Sequence, residues 1–404
     1  MINHSGYAPE DFMRACYTRS TMGKKRSYDK ASLAIHKKLG GKIEMRAKKS
    51  IAGMEDLKVF YTPGVAAVSL YVKGNAARAK THTIKKNTVA VISDGSAVLG
   101  LGNIGALGAL PVMEGKAMIF KEFAGVDAFP IVLDTQDTDE IVNTIKHIAP
   151  GFGGINLEDF AAPRCFDIEA RLQNELDIPV MHDDQHGTAI VALAALINAA
   201  KVVKKDFKKL SVAVVGAGAA GRATANLLLK AGIRDILVMD RKGILTKTRK
   251  GISGYKKELA RQTNKRDLQG SIPDGIKGRD VVIGVSGPNI ISKTDIRSMN
   301  DKAVVVAMAN PIPEIDPAVA KKAGAYVIAT GRSDYPNQVN NALVFPGFFR
   351  GALDGGVRKI TDGMKIRAAK ALAGLVKKPT PNKIIPSIFD KRVVKTIANA
   401  VKRG

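Results

Sequence analysis

Two pairs of adjacent carboxylates stand about two dozen residues apart, Glu158 and Asp159 in LED and Asp183 and Asp184 in HDD. Lys116 in MEGKA and Tyr61 in YTPGVA precede them. Oxygen-only ligands suit a hard dication, Mg²⁺ or Mn²⁺, rather than zinc. Glu158, Asp159 and Asp184 are the metal-ligand candidates. His182 and His186 flank the second pair and are read as supporting groups, not as zinc ligands. On a regular strand adjacent side chains point to opposite faces, so Glu158 and Asp159 can share one ion only at a strand end or in a turn. Gly153 and Gly154 supply the irregular backbone such a corner needs. Taken singly, each feature has an ordinary explanation: a surface Asp pair is commonly a solvated turn or cap, a lone lysine a solvated cation, a lone tyrosine a packing residue. The combination carries the chemistry.

Downstream, Gly216, Gly218 and Gly221 form GxGxxG directly after the apolar run Val212–Val215, with Ala219 and Ala220 completing the turn. The spacing predicts a helix over 222–230, then a strand over 236–239 ending at Asp240. The first glycine makes the tight turn, the second lets backbone approach a pyrophosphate, and the third permits close helix packing, with the helix N-terminus facing the phosphates. Asp240 can accept hydrogen bonds from an adenosine ribose and would repel a 2'-phosphate, which favours NAD. Arg241 and Lys242 follow at once and keep NADP open. A second match, Gly100, Gly102 and Gly105, lacks the helix, strand and terminal acid and is read as a turn. A dinucleotide fold, a hard-cation site, one lysine and one tyrosine are the set needed to oxidise a 2-hydroxy acid and then remove a carboxylate.

The elements that must position these groups are legible in outline. Short apolar runs at 89–92, 131–133 and 178–181, then at 212–215, 236–239, 281–283, 304–307 and 326–329, alternate with helical or glycine-rich stretches. Such runs imply parallel sheet covered on both faces, an α/β fold. The expected organisation is a tail over 1–26, an N-terminal α/β catalytic and metal-binding domain over 27–187, and a Rossmann-type doubly wound parallel sheet over 188–404 ending in a C-terminal helical tail. Residues 28–38 read as a basic helix and 188–203 as an alanine-rich one. From 362 onward an amphipathic helix is broken at Pro379, Pro381 and Pro386.

Length and composition bound the class. A chain of 404 residues, 45% apolar and 25% charged, is a soluble globular protein of two or three domains. Cys16 and Cys165 match no zinc or disulfide pattern and are read as small core or surface residues of a protein in a reducing compartment, so a cytoplasmic location is expected. The longest apolar run is too short and alanine-rich for a membrane span. The net charge of +26 alone suggests polyanion binding, but the charge is uneven. Residues 22–50 hold ten Lys/Arg against two acids, whereas 87–190 hold sixteen Asp/Glu against five Lys/Arg. Acids concentrated against the overall trend suit a dication. With no tryptophan, 5% aromatic content and no nucleic-acid motif, the basic ends do not make a nucleic-acid-binding protein.

YTPGVA, VISDGSAVLGLGNIGALGALPVMEGKA, GGINLEDFAAPRCF, HDDQHGTA, GAGAAG, ANPIPE and GRSDYPNQVNNALVFPGFFRGALD together resemble malic enzyme of the short prokaryotic type, from about residue 27 to the C-terminus. The resemblance implies oxidative decarboxylation of malate to pyruvate and CO₂ with reduction of NAD or NADP, a divalent metal and a homodimer. It assigns Lys116 as general base, Tyr61 as general acid, Asp183 as a helper in proton placement, and Glu158, Asp159 and Asp184 as metal ligands. Asn310 and Asn340 resemble malate contacts, and Thr188 joins the cofactor set. Long eukaryotic-type members carry an arginine where this chain has Ala97, so handling of the substrate carboxylate is expected to differ. Malolactic conversion, in which retained NADH reduces pyruvate to lactate, is the neighbouring activity.

Overall fold

The computed structural model describes residues 19–98, 100–252 and 254–403, without the side chains of residues 19–27. The expected tail through residue 18, including Cys16, lies outside the described residues. Residues 19–26, expected to belong to that tail, are helical, within α1 (Arg19–Leu39).

The first sheet is four-stranded and wholly parallel, in the order β2 (Asp127–Val132), β1 (Thr88–Ser93), β3 (Gly154–Leu157), β4 (Val180–His182). Pro130 inside β2 fits because β2 is an edge strand, where a missing N–H breaks no ladder. Four longer helices belong to this half. They are α4 (Gly105–Ala124), stopped by left-handed Gly125, α5 (Thr138–Ile148), capped by the Asp137 carboxylate, α6 (Arg164–Glu175), and α7 (Asp183–Val203). Upstream, α2 (Met54–Phe60) and α3 (Val65–Lys73) contain no buried residue.

The second sheet has the order β10 (Val327–Thr330), β9 (Val304–Ala307), β8 (Val281–Gly284), β5 (Ser211–Val215), β6 (Asp235–Asp240), β7 (Gly243–Ile244). All neighbours are parallel except the β6–β7 hairpin. Strand order reverses between β5 and β8, the switch point where open α/β sheets bind ligands. Its helices include α8 (Ala219–Lys230) and α9 (Gly254–Thr263).

Helix α7 joins the halves. It is apolar and long enough to cross a membrane by composition, yet 72% of its apolar window is buried, which makes it a core helix. It packs on α8 and on α11 (Asp362–Gly374), and α10 (Phe345–Asp354) packs on α12 (Arg392–Lys402) and α4. The C-terminal segment expected as a tail is therefore part of the core, with Leu372, Ile397 and Val401 fully buried. Cys165 is a free thiol buried in the first half.

Candidate active site

Strand β3 ends at Leu157, and the chain turns into the acidic corner. Glu158 N donates to Ile92 O at 2.9 Å, which keeps it in register with β1, while Asp159 takes φ +57°. That left-handed residue is the irregular backbone the sequence required for two adjacent carboxylates to face one place. Aspartate is among the residues that tolerate it best. Ala97 N donates to the Asp159 carbonyl at 2.9 Å and holds the corner from the β1 side. The second pair comes from the other direction: Asp183 and Asp184 form the first turn of α7, where the helix dipole favours anions. The sequence reading started this helix at Thr188; it begins five residues earlier, and that makes the HDD pair helical.

The two elements converge. Carboxylate oxygens of Glu158, Asp159 and Asp184 lie within 4.8 Å of one another. Asp159 N donates to Asp184 Oδ2 at 2.8 Å, joining corner and helix. Lys116, delivered by α4 and only 8% exposed, places Nζ 2.6 Å from both Glu158 Oε1 and Asp183 Oδ2. The same ammonium lies 4.3 Å from the ring centre of Phe345. Asp183 sits over Gly187, where a side-chain Cβ would fall 1.9 Å from its Oδ1. The glycine one turn along α7 thus makes room for the carboxylate.

Four carboxylates and one ammonium leave the cluster with excess negative charge in a dry place. Burial lifts the carboxyls of Glu158 and Asp183 above their ordinary values, in spite of Lys116 beside them. Asp184 is pressed the same way by burial, but the His182 ring and Lys116 outweigh it and hold its carboxyl low. Burial alone would lower Lys116, yet Asp183, Glu158 and Asp184 together keep it protonated well above neutral pH. A base role for Lys116 therefore needs a nearby dication as well as burial to lower this amine, because beside the carboxylates alone it stays a cation. An oxygen-only, over-negative, buried donor set is what a hard dication fits.

The histidines take supporting positions. His182 Nε2 lies 3.1 Å from Asp184 Oδ2, and His186 Nε2 lies 3.0 Å from Glu169 Oε2. Neither belongs to the acidic group that could hold an ion. Tyr61 is not brought into the cluster. It follows α2, is 65% exposed, and its hydroxyl makes no hydrogen bond among the described residues. Asn310 is half-buried beside the Gly100 turn, and Asn340 caps the short turn at 341–343 by accepting from Ala342 N at 2.8 Å. That turn packs on α7. Thr188 lies half-buried in α7. Glu169, Gln185, Asn156 and Phe345 touch this network but carried no sequence signal, because each acts through contacts between elements distant in the chain.

The dinucleotide elements stand at the switch point. Gly216 has φ +124°, and a Cβ there would meet Val285 O at 2.5 Å; one at Gly221 would meet Gly216 O at 1.8 Å. At Gly218 nothing lies within 4 Å, so backbone is left open at the N-terminus of α8, with Ala219 and Ala220 opening the helix. These are the three glycine roles of a pyrophosphate turn. Gly100, Gly102 and Gly105 also take positive φ, and, against the sequence reading, a helix and a strand do follow them: α4 starts at Gly105 and leads to β2, parallel to β1. Asp240 ends β6 and is already engaged: Arg249 donates from Nη1 at 3.0 Å and Nη2 at 2.6 Å, Lys256 Nζ at 2.9 Å and Lys242 N at 2.9 Å. Burial would raise its carboxyl, but Arg249 and Lys256 outweigh that and hold it down to about 2.

A Rossmann-type sheet beside a buried lysine and a cluster of carboxylates that could hold a hard ion defines a dinucleotide-dependent oxidoreductase. Two family models match the chain: malic enzyme, N-terminal domain, over residues 40–173, and malic enzyme, NAD binding domain, over residues 185–403. The chain is 55% identical to the NAD-dependent malic enzyme of Geobacillus stearothermophilus, over 90% of this chain and 76% of that one. It is 50% identical to the bifunctional malic/malolactic enzyme of Bacillus subtilis, over 92% of each. The crystal structure of the NAD-dependent malic enzyme of Thermotoga maritima superposes with a TM-score of 0.89 at 47% identity, covering 92% of this chain and 98% of that one. The chain belongs to the malic enzyme family.

Proposed function

We propose that this chain converts malate to pyruvate and CO₂ with reduction of NAD(P)⁺, and that Glu158, Asp159 and Asp184 hold the dication it requires. The observation that supports this most is the pairing of Lys116 with Glu158 and Asp183 beside the carboxylates of Asp159 and Asp184, at the helix that leads into the dinucleotide sheet. Bound there, a Mg²⁺ or Mn²⁺ ion supplies Lewis-acid polarisation of the substrate oxygens, and the nucleotide supplies the hydride acceptor.

The chain's own residues handle the protons. With a dication held by Glu158, Asp159 and Asp184, Lys116 would share Glu158 with a second positive charge, which would lower its pKa towards that of a base. It then takes the proton from the C2 hydroxyl, with Asp183 fixing Nζ. Tyr61, exposed and outside the cluster in the single chain, is the proposed donor of a proton to C3 after decarboxylation and must be carried to the cluster to act. The experiment is product analysis with malate and NAD⁺ or NADP⁺. Pyruvate and free reduced nucleotide in equal amounts are expected; lactate without free reduced nucleotide would put the malolactic reading, suggested by the Bacillus subtilis relative, in its place.

The doubly paired Asp240 supports use of both cofactors, because its charge no longer opposes a 2'-phosphate. A basic hollow of about 350 Å³ lined by Lys242, Arg249 and Lys250 adjoins it. Arg249→Ala is expected to lower kcat/KM for NADP⁺ roughly tenfold more than for NAD⁺. Equal losses would remove Arg249 from phosphate recognition.

A homodimer is the assembly we propose. Met54 at 67%, Val59 at 63% and Leu70 at 67% exposure are open apolar side chains on α2 and α3, and a second copy of the chain would cover them. Leu70→Glu is expected to turn a dimer into a monomer in sedimentation measurements; a monomeric parent protein would contradict the assembly.

A further inference from the structure

Glu169 lies outside the proposed chemistry, yet it is a heavily engaged buried acid of the first half. It comes from α6, is 6% exposed, and receives three donors from one short stretch of chain. Glu169 Oε1 accepts from the backbone N of His182 at 2.8 Å, and Oε2 accepts from Gln185 Nε2 at 2.9 Å and from His186 Nε2 at 3.0 Å. All three donors flank Asp183 and Asp184, at the start of α7. The network continues inward. Gln185 Nε2 also lies 3.1 Å from His182 Nδ1, and His182 Nε2 approaches Asp184 Oδ2. On its other side Glu169 borders a cavity of about 230 Å³ together with His186, Arg222, Asn226 and Lys365, so it faces away from the acidic cluster.

We infer that Glu169 is a positioning residue, whose carboxylate clamps the first turn of α7 and so presents Asp184 to the dication. The inference rests on the reading of Glu158, Asp159 and Asp184 as metal ligands. Three separate physical facts support it. A carboxylate that takes three hydrogen bonds, one of them from backbone, fixes both the rotation of the turn and its distance from α6. The helix α7 has no side-chain cap of its own at His182, and Glu169 adds from another element an anion to the two, Asp183 and Asp184, in its first turn. Asp184 has to reach across to the β3 corner, where Asp159 N already holds it at 2.8 Å, and a turn free to rock would trade that contact for solvent. Asn156 plays a parallel part on the strand side, donating from Nδ2 to Glu158 Oε2 at 2.9 Å.

The test is Mn²⁺ binding to the nucleotide-free protein, followed by the electron paramagnetic resonance of free ion, for the parent and for Glu169→Gln, Glu169→Ala and Asp184→Asn. Partners behind a metal ligand typically govern about 10–100-fold in affinity. Glu169→Ala is expected to weaken Mn²⁺ binding within that range, and Glu169→Gln, which keeps shape and one acceptor, less. The apparent KM for Mn²⁺ should rise more than kcat falls, with NAD(P)⁺ affinity unchanged. If Glu169→Ala fails to fold, Glu169→Gln decides. Wild-type Mn²⁺ affinity in the folded Glu169 variants, with only the melting temperature lowered, would overturn the inference and leave Glu169 a structural residue. Wild-type affinity in Asp184→Asn would instead overturn the ligand assignment beneath it, so the two failures are told apart.

Discussion

Replacing Lys116 by alanine will lower kcat by about 10²–10⁴-fold, the usual worth of a positioned proton-transfer group, while NAD(P)⁺ affinity stays as it was. The reasoning starts from its surroundings. Lys116 is buried, shares its charge between Glu158 and Asp183, and stands over Phe345. Removing it makes the cluster more negative, so a dication should bind no more weakly, and loss of metal cannot account for the loss of rate. Lys116→Arg separates charge from proton transfer, because arginine keeps the cation but does not release a proton near neutral pH. Both variants are expected to be slow. Near-parental turnover in Lys116→Arg would reduce Lys116 to a counter-charge, and near-parental turnover in Lys116→Ala would remove it from the mechanism.

Asp184→Asn is expected to abolish metal-dependent turnover, by more than the roughly 100-fold that marks the upper end for partners standing behind a ligand. Asparagine preserves the volume and can still accept from Asp159 N through its amide oxygen, so the corner between β3 and α7 should survive. What disappears is the charge that His182 and Lys116 help to hold ionised. Melting temperature without metal should therefore change little, whereas the Mn²⁺ concentration needed for half-maximal rate should rise steeply. An unchanged Mn²⁺ dependence would contradict the role given to Asp184.

Most of the second sheet is readable because its strands are unbroken apolar runs rich in valine, as at Val212–Val215 and Val304–Ala307, and because the glycine turn carries its own mechanical reasons. The strand that delivers Glu158 was harder. Gly154–Leu157 is four residues long, begins with glycine and contains Asn156, so no period stands out, although the need for a corner at Glu158 and Asp159 could be deduced from strand geometry alone. The start of α7 was placed late because His182, Asp183 and Asp184 are weak helix formers; burial against the first sheet and the carboxylate from α6 override that preference. Glu169 and Gln185 were invisible for a related reason: their partnership spans two helices, and nothing in a linear spacing records it. The direction of the Lys116 shift was also hidden. Burial and a ring of acids pull the amine in opposite senses, and only the 2.6 Å contacts show which is stronger.

Anomalous scattering from crystals grown with Mn²⁺ would test the central claim most directly, because it locates the ion without reference to activity. One peak bounded by the carboxylates of Glu158, Asp159 and Asp184, adjacent to Lys116, is the predicted result. A fully active enzyme whose manganese lies elsewhere, or whose corner holds none, would contradict the account.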